Sequence, residues 1–352
     1  MLVFGIIILF ISAGITPSIA VDTKEQFIMS TSKGITLYVG GTGEGNYTKI
    51  QDAIDDANDG DTVFVYDEGS PYNESILIDK SLNLIGEDKN TTVIGGEYVK
   101  VLDSNNVNIQ GFMITVGGEF LVNIYFSNCS NCTLYNNNVY SHIYFECVVI
   151  YDSSEIKILN NYILYSPYAI WLTHSHNCII ENNHIKYTDI RLLAKLLSWC
   201  IHIDDSTNIT VIKNHISRFG SGISSWSSNN IKVIKNHISR CIYGINIVSE
   251  NNITVKHNQI SGCVCGIKIS PSAENVNIVQ NNFILNIRTA VFGLSNLKDL
   301  FKILWDGNYW GRLQLSPRLI FGWFFPFPIP ILVIPVINFD WHPAKEPYKI
   351  GV

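Results

Sequence analysis

Residues 211–240 read VIKNHISRFGSGISSWSSNNIKVIKNHISR, and the octapeptide VIKNHISR fills both 211–218 and 233–240. The two copies start 22 residues apart (233 − 211). Each lies in a longer phrase, Asn-apolar-x-apolar-x-x-Asn-x-apolar, whose second asparagine we call the anchor. Phe112 takes the anchor place in an early copy, and the later anchors are Asn137, Asn161, Asn183, Asn214, Asn236, Asn258 and Asn281. A repeat of about 20 to 50 residues predicts a solenoid.

Inside each unit, apolar and polar residues alternate with a period of two, and β-branched residues dominate. Gly, Ser and Asn mark the bends, and no useful helix fits in so short a unit. The pattern predicts coils of three short strands, stacked at the ~4.8 Å spacing of hydrogen-bonded strands. The anchor asparagines would then lie at equivalent bends, where their amides bond along the axis, so we interpret them as structural.

Both ends of such a coil need covering, because an open end exposes core and strand edges. Residues 48–60 predict a cap helix with a Thr48/Gln51 capping box, a stop at Gly60 and one apolar stripe. The stripe is Ile50, Ala53, Ile54 and Ala57. Residues 304–348 are strongly apolar and contain Pro326, Pro328, Pro330 and Pro335. Prolines argue against a transmembrane helix, so we expect an extended apolar cap, with a membrane-contacting tail as the alternative.

The composition is that of an exported globular chain. Of 352 residues, 47% are hydrophobic, and the formal net charge is −6, which argues against a nucleic-acid partner. Leu2 to Ile11 is a short apolar run, and Ser18-Ile19-Ala20 is typical of a cleavage site. We therefore expect residues 1–20 to be a signal peptide, or else an uncleaved anchor. Sequons along the chain agree with a secreted or cell-surface location.

The chain has eight cysteines, which an exported protein can pair. Cys241 and Cys263 occupy the same place on adjacent coils, within disulfide range. Buried free thiols are the alternative, and the sequence leaves both open. Cys129 and Cys132 have CxxC spacing without a second CxxC, which argues against a zinc site.

Three phrases resemble a known family. They are YTKIQDAIDDANDGDTVFVY with YNESILIDKSLNLIGE near the start, NNITVKHNQIS with GIKIS in the repeats, and WDGNYWG with FDWHPA near the end. Together they look like the NosD-type (CASH domain) proteins, exported right-handed parallel β-helices of the pectin-lyase-like superfamily. The resemblance covers about 36–348 and implies a carbohydrate-binding or sugar-hydrolase type of module. NosD itself is linked to copper-site maturation, and fold analogy does not fix function.

The repeats also serve as a ruler for the candidate site. Three residues before the first residue of successive phrases stand Asp152, His174 and Asp205. These side chains are therefore expected to stack on adjacent coils. Two further rows place other chemically useful side chains on the outer face beside them, namely Trp171, His202, Asp204 and Trp226. An insert of nine residues within 186–199 falls just before this patch, and such loops often shape binding sites.

The patch predicts a glycan site. Trp171 and Trp226 suit stacking on sugar rings, with His174 and Asp152 as further binding residues. Asp204, Asp205 and His202 are the catalytic candidates, for a polysaccharide hydrolase or lyase or for a Ca²⁺ site. The alternative is a purely structural role, in which the acidic residues cap turns and the tryptophans pack under the insert. The arginine and histidine signatures of related polysaccharide enzymes are missing, so catalysis stays open.

A second row is formed by His184, His215 and His237, each of which follows an anchor. Imidazoles about one strand spacing apart predict a copper or zinc site after rotamer changes. A polar sheet face repeated by duplication is the alternative, because real sites need converging ligands and supporting carboxylates.

We therefore predict an all-β chain: one right-handed parallel β-helix domain over 36–348, with regular coils at 106–290, an N-terminal helical cap and an apolar C-terminal cap. The predicted role is recognition of a polysaccharide or other glycan at the cell surface, and whether the protein also modifies the glycan is left open. A NosD-like copper-handling protein and a purely structural surface protein are the alternatives. We expect a monomer associated with the cell envelope.

Overall fold

Short strands stack in register, each paired in parallel with the strand one coil away, and this pairing builds a three-faced parallel β-helix. The connections run right-handed, as parallel strands joined by crossovers almost always do. The computed structural model describes residues 34–115, 122–141, 146–188, 192–248, 251–311, 317–324 and 334–351. The predicted signal segment at 1–20 lies outside them. The predicted fold class is confirmed.

Each complete coil contributes one strand to each face, and the coils at the two ends contribute fewer. Face one contains β3 (Ile76–Ile78), β6 (Val99–Leu102), β9 (Val122–Ser127), β12 (Glu146–Tyr151), β15 (Tyr168–Thr173), β18 (Trp199–Asp204), β21 (Ser221–Trp226), β24 (Tyr243–Val248), β27 (Cys265–Ile269) and β30 (Arg288–Leu294). Face two contains β1 (Thr36–Val39), β2 (Asp61–Val65), β4 (Leu82–Gly86), β7 (Asn108–Gln110), β10 (Thr133–Tyr135), β13 (Lys157–Leu159), β16 (Ile179–Glu181), β19 (Thr210–Ile212), β22 (Asn229–Ile234), β25 (Asn251–Lys256), β28 (Glu274–Val279) and β31 (Ile303–Asp306). Face three contains β5 (Val93–Ile94), β8 (Met113–Ile114), β11 (Asn138–Tyr140), β14 (Tyr162–Leu164), β17 (His184–Lys186), β20 (His215–Ser217), β23 (His237–Ser239), β26 (Gln259–Ser261) and β29 (Asn282–Ile284).

The inward residues of equivalent strands stack on one another and form the core. On face one, Ile170, Ile201 and Ile223 are paired in register and fully buried or nearly so. The residue before each of them is small because the coils approach closely there. A Cβ placed on Gly222 would lie 2.6 Å from the carbonyl oxygen of Gly244, so no larger residue fits.

The anchor asparagines form a continuous ladder at the bends between faces two and three. In one rung, Oδ1 of Asn214 accepts from the backbone N–H and Nδ2 of Asn183, at 2.9 and 3.0 Å. Nδ2 of Asn214 donates to the carbonyls of Ile180 and Ile212 and to Oδ1 of Asn236. All rungs are buried: Asn137, Asn161, Asn183, Asn214, Asn236, Asn258, Asn281 and Asn308. The predicted structural role is confirmed, and Asn308 extends the predicted set.

Asp340 ends the ladder. Its fully buried carboxylate accepts hydrogen bonds from the backbone and side chain of Asn308, at 2.9 and 3.2 Å. It also accepts from Nε1 of Trp310 at 3.0 Å and from the backbone of Gly307 at 3.1 Å. The closing phrases WDGNYWG and FDWHPA therefore meet at one buried polar cluster.

Near the start, helix α1 (Ile50–Asp56) buries Ile50, Ala53 and Ile54 against the first strands. The predicted capping box is wrong. Lys49 is the N-cap residue and makes no side-chain bond, while the carboxylate of Glu74 accepts from the first helical N–H groups, at 2.8 and 3.0 Å. A carboxylate from the following coil suits this place because it satisfies two free donors and faces the positive end of the helix.

At the other end, β32 (Arg318–Phe324) and β33 (Ile334–Asp340) form an antiparallel hairpin, and β32 pairs with β30. Ile320 is buried, whereas Leu319, Phe321 and Trp323 alternate with the buried positions and are exposed. Pro326, Pro328 and Pro330 lie outside the described residues. In the described part of the chain, no helix has the length and apolarity that a membrane span requires. Within the described ranges, the other helical elements are α2 (Leu192–Leu196) and two 3₁₀ turns, Asp67–Gly69 and Leu297–Lys302.

All eight cysteines are buried free thiols, including Cys241 and Cys263. Of the two alternatives for that pair, the structure has the thiols. Cys132 and Cys178 are fully buried as well.

Candidate functional site

An aromatic patch lies on the outer side of face one, over β15, β18 and β21. We define it as Tyr168, Trp171, Trp199, His202 and Trp226. The strand registers place Trp171 beside His202, Tyr168 beside Trp199, and Trp226 in the row of Asp204. The ruler drawn from the sequence therefore gave the correct lateral neighbours, because hydrogen bonding between coils fixes their register.

His202 lies inside this patch rather than on its surface. Its ring stacks on Trp199 with centroids 4.5 Å apart and meets Trp171 and Trp226 edge-on at 5.2 and 5.4 Å. The side chain is only 3% exposed. His202 lies on the outer face, as the repeat predicts, but three indole rings converge over it and bury it there.

Burial lowers the pKa of His202 to about 4, below the ordinary value of 6.5. The imidazole is therefore neutral at pH 7. A neutral ring in an apolar box carries one donor and one acceptor nitrogen but has no proton to give as a general acid. As a catalytic candidate, His202 is consequently restricted to hydrogen bonding or to a weak base.

Acidification is expected to destabilise the protein through this residue. The unfolded chain, with a histidine pKa near 6.5, takes up a proton before the folded chain with its pKa of about 4. Stability is thus complete above pH 6.5 and falls as the pH drops toward 4, by about 3 kcal/mol for His202 at full effect. Denaturant unfolding from pH 7 to pH 4 measures this loss.

The matched variant is His202→Gln, whose side chain does not titrate. His184, His237 and His257 also have pKa values lowered by burial, and they contribute equally to both proteins. The difference between the two pH profiles therefore isolates His202. Identical profiles would contradict a buried neutral imidazole.

A row of buried polar atoms runs through the patch. Trp171, His202, Ser224 and Asn246 are paired in register on successive coils. Within the described residues, Nε1, Nδ1, Oγ and Oδ1 of these four side chains are buried and make no hydrogen bond. Such groups are rare in folded proteins, because leaving one unpaired costs about 1–3 kcal/mol. Because the four atoms are buried, a polar ligand reaches these donors and acceptors only when the side chains that cover them rotate aside.

The acidic residues lie along the rim of the patch, at the corner between faces one and two. Asp152, His174 and Asp205 occupy equivalent corner positions with positive φ, and Nε2 of His174 lies 3.9 Å from Oδ2 of Asp205. Asp204 points outward one residue earlier, and its pKa is raised by burial and by the charge of Asp205. The structure thus brings Asp204, Asp205 and His174 together, with Asp152 exposed one coil away.

Serine hydroxyls hold this corner in place. Ser175 follows His174, and its Oγ accepts the backbone N–H of Ser153, while Oγ of Ser206 accepts that of Ser175 at 3.1 Å. Backbone N–H groups at the corner are thus capped by serines, which weakens the alternative that Asp152 and Asp205 are there as turn caps.

The insert reaches the patch through its last residue. Trp199 begins β18, and its backbone N–H donates to the carbonyl of Pro167 at 2.8 Å. Leu196 and Leu197 are 49% and 61% exposed, so these two leucines do not cover the tryptophans. The side chains of Leu192 and Leu193 lie outside the described residues.

The sequence reasoning missed Trp199 and Tyr168 as site residues. Both belong to one row, Tyr168, Trp199, Ser221 and Tyr243, three residues before the row of His202. Extending the ruler by that step would have found them. The alternation of residues in the repeat was enough to predict this row. The nine-residue insert before Trp199, however, made the alignment of Trp199 with the other coils difficult to recognise.

The histidine row is a stack of parallel rings on face three. His184 and His215 lie 4.9 Å apart at 8°, and His215 and His237 lie 4.8 Å apart at 23°. Tyr162 stacks on His184, and Gln259 contacts His237. Stacked rings lie side by side instead of converging on one point. No three His, Cys, Asp or Glu side chains among the described residues are grouped to hold a metal ion, and metal binding here stays a prediction.

Comparisons with known proteins agree with the fold. A family model described as a right-handed β-helix region matches residues 146–296. A cell surface glycoprotein of Methanothermus fervidus is 37% identical over 95 residues, which are 26% of this chain and 16% of that protein's length.

Among solved structures, the chain is similar to a PL6 alginate lyase in complex with a trisaccharide, with 12% identity and a TM-score of 0.48 over 81% of this chain and 75% of that one. It is also similar to the GH136 lacto-N-biosidase of Eubacterium ramulus, with 12% identity and a TM-score of 0.46 over 79% and 60% of the two chains.

Proposed function

We propose that this chain is a cell-surface β-helix protein that binds a glycan on the aromatic patch of face one. The observation that carries the proposal is the combination of indole rings on adjacent coils with the row of unpartnered polar atoms among them. Ligand sites typically pair apolar walls with a few hydrogen-bonding groups of fixed position.

A sugar ring needs both parts. Its C–H face is apolar and packs on the flat face of an indole, and Trp226 offers such a face, with 38% of its area exposed. Its hydroxyls need donors and acceptors, which the row from Trp171 to Asn246 supplies when the side chains that cover it rotate aside. Asp204, Asp205 and His174 at the rim add charged partners for further hydroxyls.

The proposed cellular location is inferred from sequence similarity. The segment shared with a cell surface glycoprotein supports an exported, surface-associated protein. The predicted signal segment at 1–20 points the same way, and a glycan of the cell envelope or its surroundings is then the natural partner.

Replacing Trp226 by alanine is expected to weaken glycan binding by about tenfold or more, because one stacking face and the cover of His202 are lost together. The measurement is a titration of the full chain against a panel of neutral and acidic polysaccharides, with and without calcium. Trp341→Ala is the matched control, since Trp341 is 60% exposed and far from the patch in sequence.

Equal loss in both variants, or no binding of any glycan by the unchanged chain, would contradict the proposal. Product analysis on the same panel tests catalysis. Cleavage that disappears in Asp205→Ala would assign hydrolase or lyase chemistry to the rim carboxylates, with Asp204, whose pKa is raised, as the acid candidate. Binding without cleavage would define a carbohydrate-recognition protein.

Copper handling is the second candidate, and it rests on the NosD-type resemblance together with the evenly spaced rings of His184, His215 and His237. The parallel stacking favours it less than the aromatic patch favours a glycan, because a metal needs nitrogens that converge. Stoichiometric copper retention that is lost in His215→Ala would decide for it.

A further inference from the structure

A groove of about 480 Å³ runs along face three, beside the corner that leads to face one. Its lining includes the stacked rings of His184, His215 and His237 and three permanently charged side chains, those of Lys186, Arg218 and Arg240. None of the residues that line it is acidic. In a chain with a net charge of −6, this is a local reversal of charge. We call it the cationic groove.

The cations are placed by the repeat itself. Arg218 and Arg240 stand at equivalent corners, where their backbone N–H groups donate to the carbonyls of Ser239 and Ser261, at 3.1 and 3.0 Å. Both have positive φ, which is uncommon for long side chains. The next coil has Gly262 in the same place, so the guanidinium pair is confined to two neighbouring coils.

The cationic side chains of the groove are free to bind an anionic ligand. Among the described residues, no ion pair engages Lys186, Arg218 or Arg240, whereas Lys213 on the neighbouring face is paired with Glu181 at 3.0 Å. The Lys195 side chain adds another cation at the rim, where its Nζ donates to the carbonyl of Arg240 at 2.8 Å. Unpaired guanidinium groups are strong binders of carboxylate and sulfate, which they hold with two parallel hydrogen bonds.

The groove also has a regular polar floor. Lys186, Ser217, Ser239 and Ser261 are paired in register along the axis, one per coil. The centroids of the histidine rings repeat every 4.8–4.9 Å beside the two arginines. A regular series of this kind, several coils long, fits an extended polymer better than a single small anion.

We propose that the cationic groove binds an anionic polysaccharide, with Arg218 and Arg240 holding its carboxylate or sulfate groups. This site is separate from the aromatic patch and does not rest on it. The two sites are tested by different variants, so the failure of one leaves the other standing.

The test is isothermal titration of the full chain at low and at physiological ionic strength. The probes are an oligogalacturonate, heparin as a sulfated chain, cellohexaose as a neutral chain, and a single-stranded oligonucleotide as a polyanion that is not a glycan. The double variant Arg218→Gln/Arg240→Gln is expected to bind the acidic probes about tenfold or more weakly, because two charge-assisted contacts are lost. The ratio between oligogalacturonate and heparin identifies whether carboxylate or sulfate is preferred.

Two further variants keep the result interpretable. Lys232→Gln/Lys298→Gln removes the same charge from exposed places outside the groove and is expected to bind as the unchanged chain does. Lys186→Gln removes one cation that lines the groove and lies on a strand instead of at a corner, and it is expected to weaken binding severalfold. This variant keeps the proposal testable if the arginine double variant does not fold.

Four results would overturn the proposal. They are no binding of either acidic probe at low ionic strength, equal loss in the Lys232/Lys298 control, a loss of cellohexaose binding in the arginine double variant as large as its loss of the acidic probes, and tighter binding of the oligonucleotide than of any glycan.

Discussion

Replacing Asp340 by alanine is expected to lower the free energy of unfolding of the C-terminal coils by more than about 3 kcal/mol. The carboxylate is fully buried and accepts from Gly307, Trp310 and both donors of Asn308, at 2.9 to 3.2 Å. Alanine leaves these donors without partners in a site from which water is excluded. Amide hydrogen exchange, read coil by coil together with thermal unfolding, measures the effect.

The matched control is Asp306→Ala. That carboxylate lies in the same closing segment but is half exposed and pairs with the exposed His342 at 2.8 Å. Exposed pairs contribute at most about 1 kcal/mol. Comparable losses in the two variants would show that Asp340 is no more than another surface acid of this segment.

Replacing Asn236 by leucine is expected to produce a loss of similar size in the middle of the solenoid. The amide accepts from the backbone N–H and Nδ2 of Asn214 and donates to the carbonyls of Val211 and Ile234 and to Oδ1 of Asn258. Leucine has the same branched shape and is larger, so the loss does not come from a cavity. Several unsatisfied groups at about 1–3 kcal/mol each predict at least about 3 kcal/mol.

Asn251→Ala is its control. Asn251 is exposed, and its Oδ1 accepts one bond from Asn275 at 2.9 Å on the surface. Denaturant titration should show this variant within about 0.5 kcal/mol of the unchanged chain. If Asn236→Leu behaves like Asn251→Ala, the ladder is a consequence of the fold and adds little to its stability.

Repeated features were the ones that sequence could predict. VIKNHISR fixes the length of a coil, and parallel pairing then makes lateral neighbours of any two residues one coil apart. For that reason the row of Asp152, His174 and Asp205 and the row of histidines are found where the ruler placed them. An error of one residue in the alignment of the repeats would have placed every side chain on the wrong face.

Features that occur once were harder to predict. Glu74 caps a helix that begins 24 residues before it, and Asp340 accepts hydrogen bonds from Asn308, the last asparagine of the ladder, 32 residues away. Neither distance follows from the period. The burial of His202 depends on how three indole side chains are rotated, which a pattern of residue types does not encode.

The asparagine ladder also has an electrical direction. In every rung, Oδ1 accepts from the preceding coil, and one contact of Nδ2 reaches Oδ1 of the next, so the amide dipoles point the same way along the axis. In a low-dielectric core, aligned dipoles add and polarise one another, as the peptide units of a helix do. Their positive end lies at Asn308, against the anion of Asp340. Neutral side chains stacked through the solenoid therefore present the positive end of their summed dipole to a buried carboxylate.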